Sequence, residues 1–376
     1  MRKKEFTAIG LMSGTSMDGV DLSIIKSDGN DEFTSILDNY HEFNEELQEN
    51  LINLRKKVRS TNDLNKYSKD LKNLEREITL FHSKIINEII NEYNNEVDLI
   101  GFHGQTIFHK PEEQISIQLG DGKLLSQLTK KIVINDFRAK DLINGGQGAP
   151  LTPIFHKLVS KKIYQKSKIE LPINFINIGG ITNLTHVAKS NLYACDIGPG
   201  NCLIDEWIRN NSKKKFDENG NIAKTGRIND LILNQAIDNF SFNSYDRSLD
   251  INDFDSSFAR GLSLEDGCAT ITNFSAYLIS KGIEHQIEKT KSISGTYLVC
   301  GGGRKNNQLI ENINHYLADK KIKLENIDNF GFKGDYIESQ TFAYLGVRSY
   351  LELPLSFPET TRCKFPTTGG TLNKNF

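Results

Sequence analysis

Between Ser13 and Asp21 the chain gathers glycines, hydroxyls and carboxylates in one stretch, Ser13-Gly-Thr-Ser-Met-Asp-Gly-Val-Asp21. Glycines let a backbone approach an anion closely, and successive N–H groups and hydroxyls can bind phosphate oxygens. A carboxylate beside them can hold Mg2+ through water. An ordinary hairpin turn uses the same residue types. A second stretch, Asp196-Ile-Gly-Pro-Gly-Asn201, offers a carboxylate after the strand-like run Tyr193-Ala-Cys195. A carboxylate held rigidly at a strand end suits a general base; the alternative is that it caps the following helix or turn. His103-Gly-Gln-Thr106 also follows an apolar run, but a lone histidine is more often structural. Arg138 could pair with a carboxylate through two parallel N–H bonds; a salt bridge to Asp136 or Asp141 is the alternative. His103 and His109 lack a third ligand for a metal.

The elements that must position these groups are α/β. The apolar run Phe6 to Met12 reads as a buried strand that breaks at the Ser13 turn and resumes over 20–26, with a third strand over 33–41. Helices are expected over 44–58 and 62–94. The second carries Leu64, Tyr67, Leu71, Leu74, Ile78, Phe81, Ile85, Ile89 and Tyr93 three or four apart, a stripe that reads as core. Val97 to Phe102 is a short strand ending at His103; 115–119 and 131–134 are strands with a helix between them. Gly145-Gly-Gln-Gly148 reads as a flexible loop or hinge. From Asn174 the plan restarts: an apolar strand, the Gly179-Gly180 break, and a returning strand to Val187. Gly198-Pro-Gly200 turns the chain into a helix carrying Leu203, Ile204 and Trp207. Helices over 268–288 and 305–318 flank a strand over 297–300. A last helix over 335–351 is stopped by Pro354 and Pro358.

Composition sets the class. At 376 residues the chain has room for two domains, and 38% apolar with 25% charged residues describes a globular protein. A net charge of −2 provides no basic field for nucleic acid or membrane lipid. No apolar run approaches the ~20 residues of a membrane span. The basic start Met1-Arg-Lys-Lys-Glu precedes an apolar run too short for a signal peptide. Cys195, Cys202, Cys268, Cys300 and Cys363 have no CxxC spacing and read as reduced core thiols of a cytoplasmic protein. There is no GxxxxGK[ST] and no GxGxxG after a strand, so a bound nucleotide would rest on glycine-rich hairpins rather than on a P-loop or Rossmann turn.

Taken in order, these segments resemble the anhydro-N-acetylmuramic acid kinases, a family within the superfamily of sugar kinases, hexokinase and actin. The matching runs are Ile9 to Asp21, Gly101-Phe-His-Gly-Gln-Thr106, Asn135-Asp-Phe-Arg138 with Asp141, and Gly145 to Leu151. They continue with Asn177-Ile-Gly-Gly-Ile-Thr-Asn-Leu184, Asp196 to Asn201, Val299-Cys-Gly-Gly-Gly-Arg304, and Glu338 within Asp335-Tyr-Ile-Glu338. The resemblance implies two actin-like, hexokinase-like ATPase domains with an interdomain cleft. It expects residues 1–140 plus about 355–376 in the first and 141–354 in the second. It implies that Gly14, Thr15, Ser16, Met17, Asp18, Gly19, Val20 and Asp21, with Gly179, Gly180, Gly301, Gly302 and Gly303, bind ATP and its Mg2+. It makes Asp196 the catalytic base, with Ile197 where threonine is more usual, a change that could remove a hydrogen bond to the site. His103, Gln105, Arg138 and Glu338 would contact the sugar. No protein-only metal site is expected.

The implied reaction opens 1,6-anhydro-N-acetylmuramic acid with water and phosphorylates O6 from ATP, in cell-wall recycling; a homodimer is implied by the family alone. Two readings stay open at this point. One is an ordinary sugar kinase whose aspartate deprotonates a free hydroxyl. The other is an actin-like nucleotide-binding scaffold without a sugar substrate.

Overall fold

The computed structural model describes residues 4–240, 244–292 and 295–376, so Met1-Arg-Lys of the basic start lies outside the described residues. The chain forms two compact units, Met1–Leu158 with Tyr336–Phe376, and Val159–Asp335.

The first unit is built on a mixed sheet. Its strands are β1 (Phe6–Ser13), β2 (Gly19–Ser27), β3 (Phe33–Glu42), β4 (Leu99–Lys110), β5 (Ile115–Leu119), β6 (Ile132–Asn135) and, from the chain's end, β12 (Thr371–Asn373). The order is β12-β6-β4-β1-β2-β3, with β5 on the far part of β4. β1 is antiparallel to β2 and parallel to β4. Every residue of β1 is buried, as its unbroken apolar run requires. The helices are α1 (Glu45–Lys57), α2 (Thr61–Lys66), α3 (Ser68–Tyr93), α4 (Gly122–Thr129) and α5 (Ala139–Ile143), and α6 (Pro153–Ser167) carries the chain past Leu158. The stripe Leu74, Ile78, Ile85 and Ile89 packs with Ile9, Leu11, Leu22 and Ile24, so it is core. One helix was expected over 62–94; the chain instead breaks at Tyr67, which leaves helical geometry at φ −102, ψ 20 and packs its ring on that core.

The second unit repeats the plan with β7 (Ile173–Ile178), β8 (Ile181–Val187), β9 (Leu192–Pro199), β10 (Thr296–Cys300) and β11 (Leu324–Asn326). Read from β9, the order β9-β8-β7-β10-β11 matches β3-β2-β1-β4-β6 of the first sheet, and β7 is likewise antiparallel to β8 and parallel to β10. The echo between Phe6 and Asn174 is thus a repeat of topology. Its helices are α7 (Cys202–Asn211), α8 (Asn221–Thr225), α9 (Asp230–Asn239), α10 (Leu264–Thr290) and α11 (Asn307–Tyr316). α10 starts earlier than the apolar pattern indicates because Ser263 caps it, accepting from the Asp266 N–H at 3.1 Å.

The helices α12 (Ile337–Tyr350) and α13 (Pro358–Thr361) complete the first unit. The boundaries expected at 140/141 and 354/355 are therefore displaced to 158/159 and 335/336. The cause is α12. A Cβ at Gly10 of β1 would lie 1.9 Å from the Ser339 carbonyl oxygen, and one at Gly101 of β4 would lie 2.0 Å from that of Phe342. Glycine at both positions lets the α12 backbone lie directly on this sheet.

Candidate active site

In the first unit the candidate residues collect where β1 ends. Gln105 is the register partner of Ser13, after a bulge that sets two residues of β4, His103 and Gly104, against Met12 alone. β4 was expected to stop at His103; it runs through to Lys110 because Gly104 takes φ +76, a conformation in which the bulge is accommodated. The Ser13 hydroxyl donates to Gln105 Oε1 at 2.5 Å, and Gln105 Nε2 donates to the Gly14 carbonyl at 3.0 Å. Gln105 is fully buried. Expected to face a ligand, it instead commits both ends of its amide to fixing the turn between β1 and β2.

That turn presents Thr15 and Ser16 to solvent, and Ser16 Oγ donates to Asp18 Oδ1 at 2.6 Å. Met17 adopts φ 55 and buries its side chain to 1% exposure, so it pegs the turn into the core and offers a ligand only its backbone. Val20 is also core, and Asp21 is half-buried opposite Tyr40 of β3. Burial, then the Asp18, Glu42 and Asp21 carboxylates, push the Tyr40 phenol well above its usual range; it stays protonated and hydrogen-bonds Asp18. The two glycines of the turn differ. A Cβ at Gly19 would lie 2.5 Å from the His41 carbonyl oxygen, whereas one at Gly14 would meet nothing closer than Ser16 Oγ at 3.9 Å.

Beside the turn stands a histidine–arginine pair. His103 is 4% exposed; its Nδ1 donates to the Gly104 carbonyl at 2.8 Å. Burial first, then the Arg138 charge, hold its pKa well below 6.5, so the ring is neutral and Nε2 is an acceptor. Arg138 Nη2 and Nε donate to it at 2.9 and 3.2 Å, and Nη1 donates to the Gly148 carbonyl at 2.7 Å. Asp141 is committed elsewhere: it accepts from the Gly148 N–H at 2.7 Å and from the Ser356 and Thr361 hydroxyls at 2.5 and 2.6 Å. The Gly145–Gly148 segment is accordingly pinned, not a free hinge, with Gln147 N–H also donating to the Thr361 carbonyl at 2.7 Å. Glu338 is half-buried in the first turn of α12, where the helix dipole favours a carboxylate.

In the second unit Asp196 lies within β9, not at its end, because the strand continues to Pro199. It is 6% exposed, and its Oδ2 accepts from the Leu249 N–H at 2.8 Å and the Ser248 hydroxyl at 3.1 Å. Ser248 and Leu249 belong to none of the sequence runs singled out above; no local pattern marks them, since only the fold brings them to β9. Ile197 points the other way, as strand alternation demands. A Cβ on Gly282 of α10 would meet Ile197 Cβ at 2.3 Å, so the residue that replaces threonine occupies the core face.

The Gly179-Gly180 turn is stitched to the segment after β9. Gly200 N–H donates to the Gly180 carbonyl at 2.9 Å and Asn201 N–H to the Gly179 carbonyl at 2.8 Å. The Gly301–Gly303 turn follows β10, the parallel neighbour of β7, with Cys300 opposite Asn177. Both turns therefore leave the carboxyl ends of adjacent parallel strands, where α/β sheets place ligands. Gly301 has φ +76 and Gly303 would press a Cβ to 2.2 Å from Ile178 Cγ2, but a Cβ on Gly302 meets nothing within 4 Å and one on Gly179 meets only the Ile181 carbonyl oxygen, at 3.5 Å. Gly14, Gly179 and Gly302 are thus glycines that the surrounding protein does not demand. Among the described residues no group of three histidine, cysteine, aspartate or glutamate side chains could hold a metal, and no helix is long and apolar enough to cross a membrane.

Three comparisons bear on the chain as a whole. The family profile described as anhydro-N-acetylmuramic acid kinase matches residues 6–374. An anhydro-N-acetylmuramic acid kinase of Pelagibacter ubique (strain HTCC1062) is 50% identical over 379 aligned positions, covering 100% of both chains. One from Agrobacterium fabrum (strain C58) is 37% identical over 97% of this chain and 98% of the relative. Among solved structures, a ROK family glucokinase from Streptomyces griseus in complex with glucose and AMPPNP aligns with TM-score 0.41 and 10% identity, over 90% of this chain and 99% of that one. With a profile match from Phe6 to Lys374 and half of all residues shared with a full-length relative, the chain belongs to the anhydro-N-acetylmuramic acid kinase family.

Proposed function

We propose that the protein opens the internal acetal of 1,6-anhydro-N-acetylmuramic acid with water and transfers the γ-phosphoryl group of ATP to O6, giving N-acetylmuramic acid 6-phosphate for cell-wall recycling. The observation that carries this reading, in a chain of this family, is the Asp196 carboxylate held through Oδ2 by Ser248 and Leu249. Asp196 takes a proton from water as the water oxygen attacks C1. The C1–O6 bond breaks, and O6 accepts the γ-phosphoryl group as its bond to the β-phosphate oxygen opens, leaving ADP. Acetal cleavage commonly uses a second carboxyl to protonate the leaving oxygen; here phosphoryl transfer takes that place.

Phosphoryl transfer needs alignment and charge neutralisation more than covalent help. The Gly14 backbone, Thr15 and Ser16 supply donors to the phosphates, and Gly179, Gly180 and Gly302 supply close backbone approach. The donor set fits Mg2+ held chiefly by the nucleotide, with Asp18 as the carboxylate beside it; the ion would supply charge neutralisation. Arg138 pairs with the lactyl carboxylate of the sugar, and Glu338 contacts its ring substituents. The five free cysteines fit a cytoplasmic enzyme, and a homodimer completes the reading.

The test is one turnover in 18O-water with ATP and the anhydro sugar. Label on the anomeric carbon, read before mutarotation exchanges it, and unlabelled phosphate are expected. Phosphorylation of free N-acetylmuramic acid with the anhydro sugar untouched would replace this reading with an ordinary sugar kinase. ATP hydrolysis indifferent to any sugar would replace it with a nucleotide-binding scaffold.

A further inference from the structure

Arg304 closes the run that begins at Val299, and its side chain is only 4% exposed. Its Nε and Nη2 donate to Asp328 Oδ2 at 3.1 and 2.9 Å. Its Nη1 and Nη2 form a fork with Asp335 Oδ1 and Oδ2 at 2.6 and 2.9 Å. Nη1 also donates to the Gly301 carbonyl at 3.0 Å. The other polar group of Gly301 is held at one remove: its N–H donates to the Gly334 carbonyl at 3.0 Å, and the Gly334 N–H donates to Asp328 Oδ1 at 2.7 Å. A Cβ on Gly334 would fall 2.5 Å from Arg304 Nε, so glycine there makes room for the guanidinium.

This assembly is not needed to start the next helix. Asn306 caps α11 by itself, accepting from the Leu309 N–H at 3.0 Å. Nor is the cluster an economical source of stability: the guanidinium is desolvated, while Asp328 and Asp335, 39% and 30% exposed, meet it with charges that water screens. What it does is local. It grips both backbone polar groups of Gly301, while Gly303 is wedged against Ile178 and Gly302 between them faces open space. A turn gripped on both sides of one open glycine is pre-organised to receive a flat group on its backbone, and such pre-organisation raises affinity by removing the entropy lost on ordering.

We propose that Arg304, through its fork with Asp335 and its contact with Asp328, is a positioning residue for the nucleotide: it holds the Gly301–Gly303 turn in the shape on which the base or ribose packs. This rests on the reading of the protein as an ATP-dependent kinase. Asp335→Asn keeps the shape and removes the charge; Arg304→Lys keeps the charge and removes the fork. Lys305→Gln removes only the pair between Lys305 and Asp335 Oδ2, in which the lysine is 58% exposed.

The experiment measures ADP affinity by calorimetry and, in parallel, the KM for each substrate. Loss of the charge-assisted fork in Asp335→Asn and Arg304→Lys should raise the ADP Kd and the ATP KM about tenfold, with the sugar KM within about twofold of wild type. Lys305→Gln should leave all three within about twofold, as an exposed pair does. Folded Asp335→Asn protein with wild-type ADP affinity overturns the proposal. So does a parallel rise in both KM values, the mark of general loosening. If Arg304→Lys fails to fold, Asp335→Asn decides alone. Failure of the kinase reading looks different: the wild type would bind ADP yet phosphorylate no anhydro sugar, and the Kd comparison would still judge the clamp.

Discussion

Arg138 directs two of its nitrogens, Nη2 and Nε, at one acceptor, His103 Nε2, at 2.9 and 3.2 Å. The acceptor exists only while His103 is neutral, and burial together with the arginine's own charge keeps it so. The histidine therefore aims the guanidinium instead of acting as an acid or base. Arg138→Lys should raise the sugar KM by about 10- to 100-fold and leave the ATP KM within about twofold, since lysine cannot reproduce a planar fork. His103→Leu should do the same more weakly. Steady-state kinetics with each substrate varied in turn decides; an effect confined to ATP would remove the pair from the sugar site.

The buried histidines set an acid limit on stability. His103 is held well below 6.5, His82 is lowered to about 4, and His109 and His156 to about 3, all chiefly by burial. A group whose folded pKa lies below its unfolded value binds protons preferentially in the unfolded chain. Its contribution is complete above pH 6.5 and is lost as pH falls from 6.5 toward the folded value. Thermal unfolding between pH 8 and pH 4 should show a Tm that declines from about pH 6.5 downward, before the carboxylates begin to titrate near pH 4. A Tm that stays level down to pH 4 would contradict this.

Asp196→Asn preserves the side-chain shape, and the amide can still accept from Leu249 and Ser248. Without a base the turnover should fall at least ~100-fold while ADP binding persists. Ser248→Ala removes a donor to Oδ2 and should lower kcat about threefold to tenfold, by loosening the carboxylate. Retention of more than a tenth of wild-type kcat in folded Asp196→Asn would disqualify Asp196 as the base.

The two glycines of the first turn should separate cleanly. Gly14→Val adds a side chain where the protein leaves space, so folding should survive and ATP affinity should drop at least about tenfold. Gly19→Ala drives a Cβ to 2.5 Å from the His41 carbonyl oxygen and should cost about 1–3 kcal/mol of stability. Denaturation and calorimetry on both variants check it. Normal ATP affinity in Gly14→Val would rule out this turn as the phosphate site.

Much of this protein is legible in the chain itself. Mainly apolar runs ending at glycine and small polar residues locate β1 and β7, every residue of which is buried, and the polar break after each run locates the returning strands β2 and β8. The stripe from Leu64 to Tyr93 marks a helical core face, though not its break at Tyr67, which depends on where that ring packs. The order of the glycine and aspartate runs identifies the family, and the restart near Asn174 anticipates a second sheet of the same strand order.

Other features have no local signature, because they arise where distant segments meet. Gly10 and Gly101 look like strand glycines until α12, some 240 residues beyond the nearer of them, lies on their sheet and moves the boundary to 335/336. Gln105 looks like a ligand-facing amide until the bulge at His103 and Gly104 turns it onto Ser13 and Gly14. Ser248 and Leu249 acquire a role only because the segment carrying them reaches Asp196. Residue type and spacing determined which groups could do chemistry. Tertiary structure decided which of them are spent on holding the others, since a hydrogen bond between residues far apart in sequence exists only once the fold has closed the loop between them.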